Sequence, residues 1–232
     1  MIKNFLVKIA RNPLSSFFTG NIFQYFSFLL PVKKLYEDKS IVVFYHPLPC
    51  WQFHCLVVPK KKIPSFQELD LSTVTGCNLV KHIFHSLQRI ASEKDLHDYK
   101  IIVNGGSYQD VPQLHFHLGS GDLNNMKELR YKWQEPDKNH QRSQYQSAIL
   151  YPCPNPQRKV HYIITAIEDI PFFQQIDLTN QRNIDSLIDI FILAQKIISS
   201  DGLHAYSLIT EVAIDSPDPK LCFHLVSGQR IS

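Results

Sequence analysis

Apolar and polar positions alternate strictly through Leu114-His115-Phe116-His117-Leu118, so a strand here turns Leu114, Phe116 and Leu118 into a core and His115 and His117 to the opposite face. The pattern returns at Leu221-Cys222-Phe223-His224-Leu225, with a thiol where the first stretch has an imidazole. Sliding the sequence against itself by 107 positions, without a gap, matches His54 with His161, Pro64 with Pro171, Asp70 with Asp177 and Tyr99 with Tyr206. About 25 identities fall between Phe44 and Gly121 on this single offset, which predicts two copies of one fold with matching loop lengths.

Each copy reads as strand, turn, strand, helix, strand, loop, strand. In the first, the β-branched run Ile41 to Phe44 and the segment Phe53 to Val58 flank a Pro-rich turn and predict a hairpin. Apolar residues at Val74, Cys77, Val80, Phe84, Leu87 and Ala91 recur at helical spacing behind Ser72 or Thr73 as cap. Strands are predicted at Tyr99 to Val103 and Gln113 to Leu118. The second copy predicts a hairpin at Ala148 to Thr165, a helix carrying Ile184, Leu187, Phe191, Ala194 and Ile198, and strands at Ser207 to Thr210 and Lys220 to Val226. Antiparallel strands with one main helix per copy make the class α+β. The expected layout is an appended helix at 1–33, one copy at 34–122, a polar linker at 123–141 and a second copy at 142–232.

Bulk properties narrow the partners without naming one. A net charge of +3, with no like-charge block longer than Lys60 to Lys62, does not predict nucleic-acid binding. Five cysteines without a CxxC pair argue against a disulfide framework and against a thiolate zinc site, and fit a cytoplasmic protein. The uncharged stretch Asn12 to Val32 is too polar for a membrane span; its stripe Phe18, Ile22, Phe26 and Leu29 predicts a helix packing on the body or on a partner, with a membrane surface as the other option.

Before the paired imidazoles lies Asn104-Gly105-Gly106-Ser107-Tyr108-Gln109, a run of glycines and side-chain donors that could let amides approach an anion. In the second copy this run becomes Glu211 to Asp218, with three carboxylates and no glycine, and Lys60 to Lys62 become Ile167, Glu168 and Asp169. Joint loss of imidazole, glycines and lysines suggests that all served one anionic ligand. A neutral imidazole attacks phosphorus readily, so His115 is the candidate nucleophile for phosphoryl or nucleotidyl transfer, its other nitrogen fixed by an acceptor such as a backbone carbonyl.

The run Gln109-Asp110-Val111-Pro112-Gln113-Leu114-His115-Phe116-His117-Leu118 resembles the His-x-His-x-His signature of the histidine triad (HIT) superfamily, and Phe53-His54-Cys55-Leu56-Val57-Val58-Pro59-Lys60 resembles its hairpin ending in His-apolar-Pro-Lys. The resemblance implies a nucleotide or nucleotide conjugate as ligand, with hydrolysis or transfer at the α-phosphate of a phosphoramidate or phosphoanhydride through a nucleotidyl-histidine. It places the nucleophile on His115, the third triad histidine on His117, and phosphate-contacting residues on Asn104, Ser107 and Gln109, with His54 near the site. The first triad position is Gln113, which can hold geometry but not shuttle a proton, at an expected cost of about 10²–10⁴ in rate. The uridylyltransferase branch also carries a glutamine in its triad, at another position. Homodimers in the superfamily join two sheets, so a tandem chain implies an intramolecular pseudo-dimer with the second copy as scaffold, and pairing with a further chain stays open.

On this reading His115 attacks, His117, Gln113 and Asn104 orient or stabilise, the Gly105 and Gly106 amides with Gln109 hold phosphate, and Lys60 steers the anion in. No cofactor or metal is expected. Two rivals stand beside it: a non-catalytic nucleotide sensor or scaffold, and a metal site formed by His115, His117 and His54.

Overall fold

The computed structural model of the chain describes residues 32–122, 142–213 and 220–231. The expected appended helix, the polar linker and most of the acidic second-copy loop lie outside the described residues.

Among the described residues ten antiparallel strands form one sheet: β1 (Lys34–Glu37), β2 (Ile41–Tyr45), β3 (Trp51–Pro59), β4 (Tyr99–Gly106), β5 (Phe116–Asp122), β6 (Ser143–Tyr145), β7 (Ala148–Pro152), β8 (Arg158–Ala166), β9 (Ala205–Val212) and β10 (Cys222–Arg230). Their order is β1-β2-β3-β5-β4-β9-β10-β8-β7-β6, which reads the same from either edge once five is added to each number of the first half. The middle pair β4 and β9 aligns Tyr99 with Val212 through Gly106 with Ala205.

Helices α1 (Val74–Glu93) and α2 (Gln181–Ser200) pack on one face. The Thr73 side chain caps α1 by accepting from the Gly76 amide, and Asn180 caps α2 by accepting from Arg182. The predicted apolar stripes are buried, except that Val74 is exposed at the first turn of α1 and Cys77 only half-buried. Leu114, Phe116 and Leu118 enter this core as the alternation requires. Phe84 of α1 and Phe191 of α2 each meet Phe116 or Phe223 of their own half, at 5.9 and 5.4 Å, and reach the other half's ring at 6.2 and 6.4 Å, so both helices share one aromatic cluster that spans the two halves. The polar contacts are equally reciprocal: Gln88 donates to the Phe173 and Ile176 carbonyls, and Gln195, at the matching position of the second half, donates to those of Phe66 and Leu69.

Strands β4 and β5 differ from their predicted bounds for local reasons. β5 starts at Phe116 rather than Gln113, because Leu114 N–H donates to the Ile63 carbonyl and Gln113 N–H to Val111, which keeps 113–115 off the ladder. β4 runs on to Gly106, because Asn104, Gly105 and Gly106 pair with Ser207, Tyr206 and Ala205 of β9, where a side chain at Gly105 would enter the ring of Tyr206. Gly105→Ala should therefore cost about 1–3 kcal/mol of stability, read as a lowered denaturant midpoint at unchanged slope.

Candidate functional site

The face of the sheet away from the helices carries the imidazoles. His54 and His117 are diagonal neighbours on β3 and β5, since Leu56 pairs with His117 and His54 with Gly119. Trp51 packs over Gly119 and meets the His54 ring edge-on at 4.6 Å between centroids, so it holds the hairpin against the site.

The hydrogen bonds fix every tautomer along this row. The Cys50 amide donates to His54 Nδ1 at 3.2 Å, so the His54 proton is on Nε2, from which it donates to His117 Nδ1 at 3.0 Å. His117 therefore carries its proton on Nε2, and that N–H is buried with no hydrogen-bond partner. His115 Nδ1–H donates to the Gln113 carbonyl at 2.8 Å, which leaves the Nε2 lone pair unprotonated. The two rings are 4.9 Å apart at 66°. A lone pair and an unused donor thus sit side by side, the combination an electrophilic phosphorus with its oxygens would satisfy.

Burial keeps these rings neutral. It lowers His115, against the opposing pull of the Gln113 carbonyl and the Asp110 carboxylate, and it lowers His117 well below the ordinary imidazole value, with repulsion from His115, His54 and His46 added. His54 falls to about 3 and its counterpart His161 to about 4, both chiefly by burial. Unfolded imidazoles titrate near 6.5, so below that pH the unfolded chain binds more protons than the folded one. Stability is then fully present above about pH 6.5 and falls as pH drops through 4 towards 3. Melting temperature against pH should slope downward below 6.5 and flatten above it; a flat profile from 6.5 to 4 would contradict these neutral rings.

The remaining predicted residues take other positions. Gln113 is 1% exposed, and its amide donates to the Pro59 and Lys61 carbonyls while its oxygen accepts from Ile63, so the side chain staples the turn after β3. Gln109 donates to the carbonyls of Pro64, Val111 and Gln113, bracing the segment that leads to His115. Lys60 is ion-paired with Glu37 at 2.8 Å rather than extended over the site. The expected open amide cradle is not what the contacts describe: Gly105 and Gly106 are paired in β4, and the amides of Ser107, Tyr108 and Gln109 donate to the carbonyls of His204, Gly105 and Gly106. Asn104 lies on the His117 face of β4 and accepts from Ser207 Oγ at 2.6 Å.

Sequence reasoning missed His46. Its backbone extends the β2–β3 pairing, and its ring stacks flat on His54 at 4.1 Å and 2° and lies 5.7 Å from His117. His46, His54 and His117 each bring a nitrogen within 4.8 Å of the others, a spacing a metal ion could use. Two of those rings already spend nitrogens on the His54–His117 bond, and the set includes no anionic ligand. The rival metal reading, with His115 beside His117 and His54, names a different trio.

The second half keeps the row and changes its end. Gln157 N–H donates to His161 Nδ1, His161 Nε2–H to His224 Nδ1 at 2.9 Å, and the next atom along is Cys222 Sγ, 3.9 Å from His224 Nε2. All five cysteines are free thiols, and among the described residues no helix is long and apolar enough to cross a membrane.

Comparison with known proteins adds a family. The model of the HIT domain matches residues 29–123. An uncharacterized HIT-like protein of Buchnera aphidicola (strain Bp) is 32% identical over 110 residues, covering 44% of this chain and 92% of that protein. One from Helicobacter pylori is 30% identical over 95 residues, 40% of this chain and 88% of its own. An Arabidopsis thaliana ADP-glucose phosphorylase with bound ADP-glucose superposes with a TM-score of 0.65 at 10% identity, over 91% of this chain and 82% of that one, a likeness of fold.

Proposed function

The chain belongs to the HIT family, and on that footing we propose that its first half binds a nucleotide conjugate and transfers or hydrolyses the nucleotidyl group through His115. What carries the reading is the unused His117 Nε2–H beside the unprotonated Nε2 of His115. The His115 Nε2 lone pair attacks the α-phosphorus, a P–N bond forms, and the bond to the leaving group breaks with its electron pair departing on that group. The ring becomes an N-phosphorylated imidazolium whose charge is shared with the Gln113 carbonyl and favoured by nearby Asp110. His117 Nε2–H and the Asn104 amide group donate to the non-bridging oxygens. Water, or another phosphate in a transfer, then attacks phosphorus as the P–N bond breaks and its electron pair returns to His115 Nε2; the proton lost by an attacking water passes to solvent.

Neutral His117 is a weak acid, and Gln113 supplies no proton, so leaving groups that depart as stable anions are favoured over amines. Phosphoanhydrides should be turned over faster than phosphoramidates of the same nucleoside. His54 acts through His117 as a positioning residue, and Gln113 and Gln109 act by holding the backbone that aims His115.

We further read the chain as two HIT-like units, 34–122 and 142–232, joined by 123–141 into an intramolecular pseudo-dimer whose second unit is a scaffold. The palindromic strand order and the reciprocal Gln88 and Gln195 contacts support this. The test of function is turnover of nucleoside diphosphate sugars, dinucleoside polyphosphates and nucleoside phosphoramidates, with a chiral phosphorothioate at the α-position of the best substrate. Two displacements give retention of configuration. Inversion would exclude the histidyl intermediate, and binding without turnover of any compound would favour the sensor reading.

A further inference from the structure

Two imidazole positions of the first half are occupied in the second by cysteine: on the same gap-free match, His46 corresponds to Cys153 and His115 to Cys222. The two positions that keep histidine are His161 and His224. The substitutions thus replace a nitrogen-only row by two thiols and two imidazoles, gathered from the β7–β8 hairpin and from β10, which follows it only after α2 and β9. No CxxC spacing announces such a set, which is why the sequence argued against a thiolate site.

The cluster is compact and sealed. Cys153, His161 and His224 each place one ligand atom within 4.8 Å of the others; Cys222 Sγ stands just outside this trio, 3.9 Å from His224 Nε2, the ring nitrogen that does not face His161. Cys153 and Cys222 pack in one small buried cluster with Ile163. The four residues are between 0% and 6% exposed. We propose that the second half holds a soft divalent ion of the zinc class as a structural site on Cys153, His161 and His224, with the Cys222 side chain turning in from beside His224 as the ion loads to supply the fourth ligand.

The chemistry follows from the donor set. Two thiolates and two imidazoles are the ligands a four-coordinate zinc ion prefers in closed structural sites. Loading replaces the two thiol protons by the ion and releases them to solvent. It also gives up the His161–His224 hydrogen bond: the His161 proton moves from Nε2 to Nδ1 at the expense of the Gln157 amide contact. Two anionic sulfurs compensate for that loss, whereas the first-half trio of His46, His54 and His117 has none, which separates the two clusters. Because the ligands are buried, the ion enters as the chain folds.

The test uses the full chain expressed or refolded with Zn²⁺ or Co²⁺ and then freed of loose metal. About one equivalent should remain, and the cobalt form should show a thiolate-to-cobalt charge-transfer band with tetrahedral visible bands. Cys153→Ser and Cys222→Ser should each remove about half of the thiolate band, and the double variant all of it, while His46→Asn leaves it unchanged. Failure to retain metal in the wild type, cobalt bound without a thiolate band, or a band that survives loss of both cysteines would each overturn the proposal. Should the variants not fold, the wild-type cobalt spectrum alone decides between the first two outcomes and the expected one.

Discussion

Replacing His115 by alanine should lower kcat by on the order of 10⁴ or more while nucleotide affinity stays within about threefold of wild type. The asymmetry follows from what the ring does. Its Nε2 lone pair is the proposed attacking atom, held toward the site because Nδ1–H is committed to the Gln113 carbonyl at 2.8 Å. The donors proposed for phosphate, His117 Nε2–H and the Asn104 amide, come from other side chains and remain in the variant. Stopped turnover with retained binding, measured by single-turnover kinetics and equilibrium titration, is the expected pair. A variant that keeps a tenth of the wild-type rate would mean that water attacks phosphorus directly.

Gln113→Leu should destabilise the fold by about 2–4 kcal/mol, because it leaves the carbonyls of Pro59 and Lys61 and the amide of Ile63 without their side-chain partner in a buried turn. The same turn supplies the Ile63 carbonyl that fixes Leu114, so the disturbance reaches the residue beside His115. Gln113→His is the sharper variant. If Gln113 were a crippled member of the proton-transfer machinery, a histidine there would raise kcat by an order of magnitude or more. With the side chain turned into the 59–63 turn, the substitution should instead lower stability and leave kcat equal or reduced. Denaturant midpoints and kcat for the two variants together distinguish a staple from a lost acid.

The alternation at 114–118 was enough to sort core from site, because a strand's period of two depends on nothing distant. The gap-free match of the sequence to itself predicts two stretches with the same order of elements, and the strand order reads the same from either edge. Reading failed where a residue's reason lies far along the chain. Gly105 and Gly106 suggest an anion loop when taken alone, yet Tyr206, in the other half of the chain, accounts for Gly105 by packing against its backbone. Lys60 reads as a free cation until Glu37 is placed beside it. The tautomer row from Cys50 through His54 to His117 joins two strands well separated in sequence and has no local signature; the hint was His46, whose second-half counterpart is a thiol.

The central claim, a covalent bond between His115 and phosphorus, is tested most directly by rapid alkaline quenching of the protein during turnover of its best nucleotide conjugate, followed by intact and peptide mass analysis. The expected result is an acid-labile nucleoside-monophosphate increment on the peptide containing His115, absent from His115→Ala. Steady turnover with no such increment at any quench time, or an increment that maps to another residue, would contradict it.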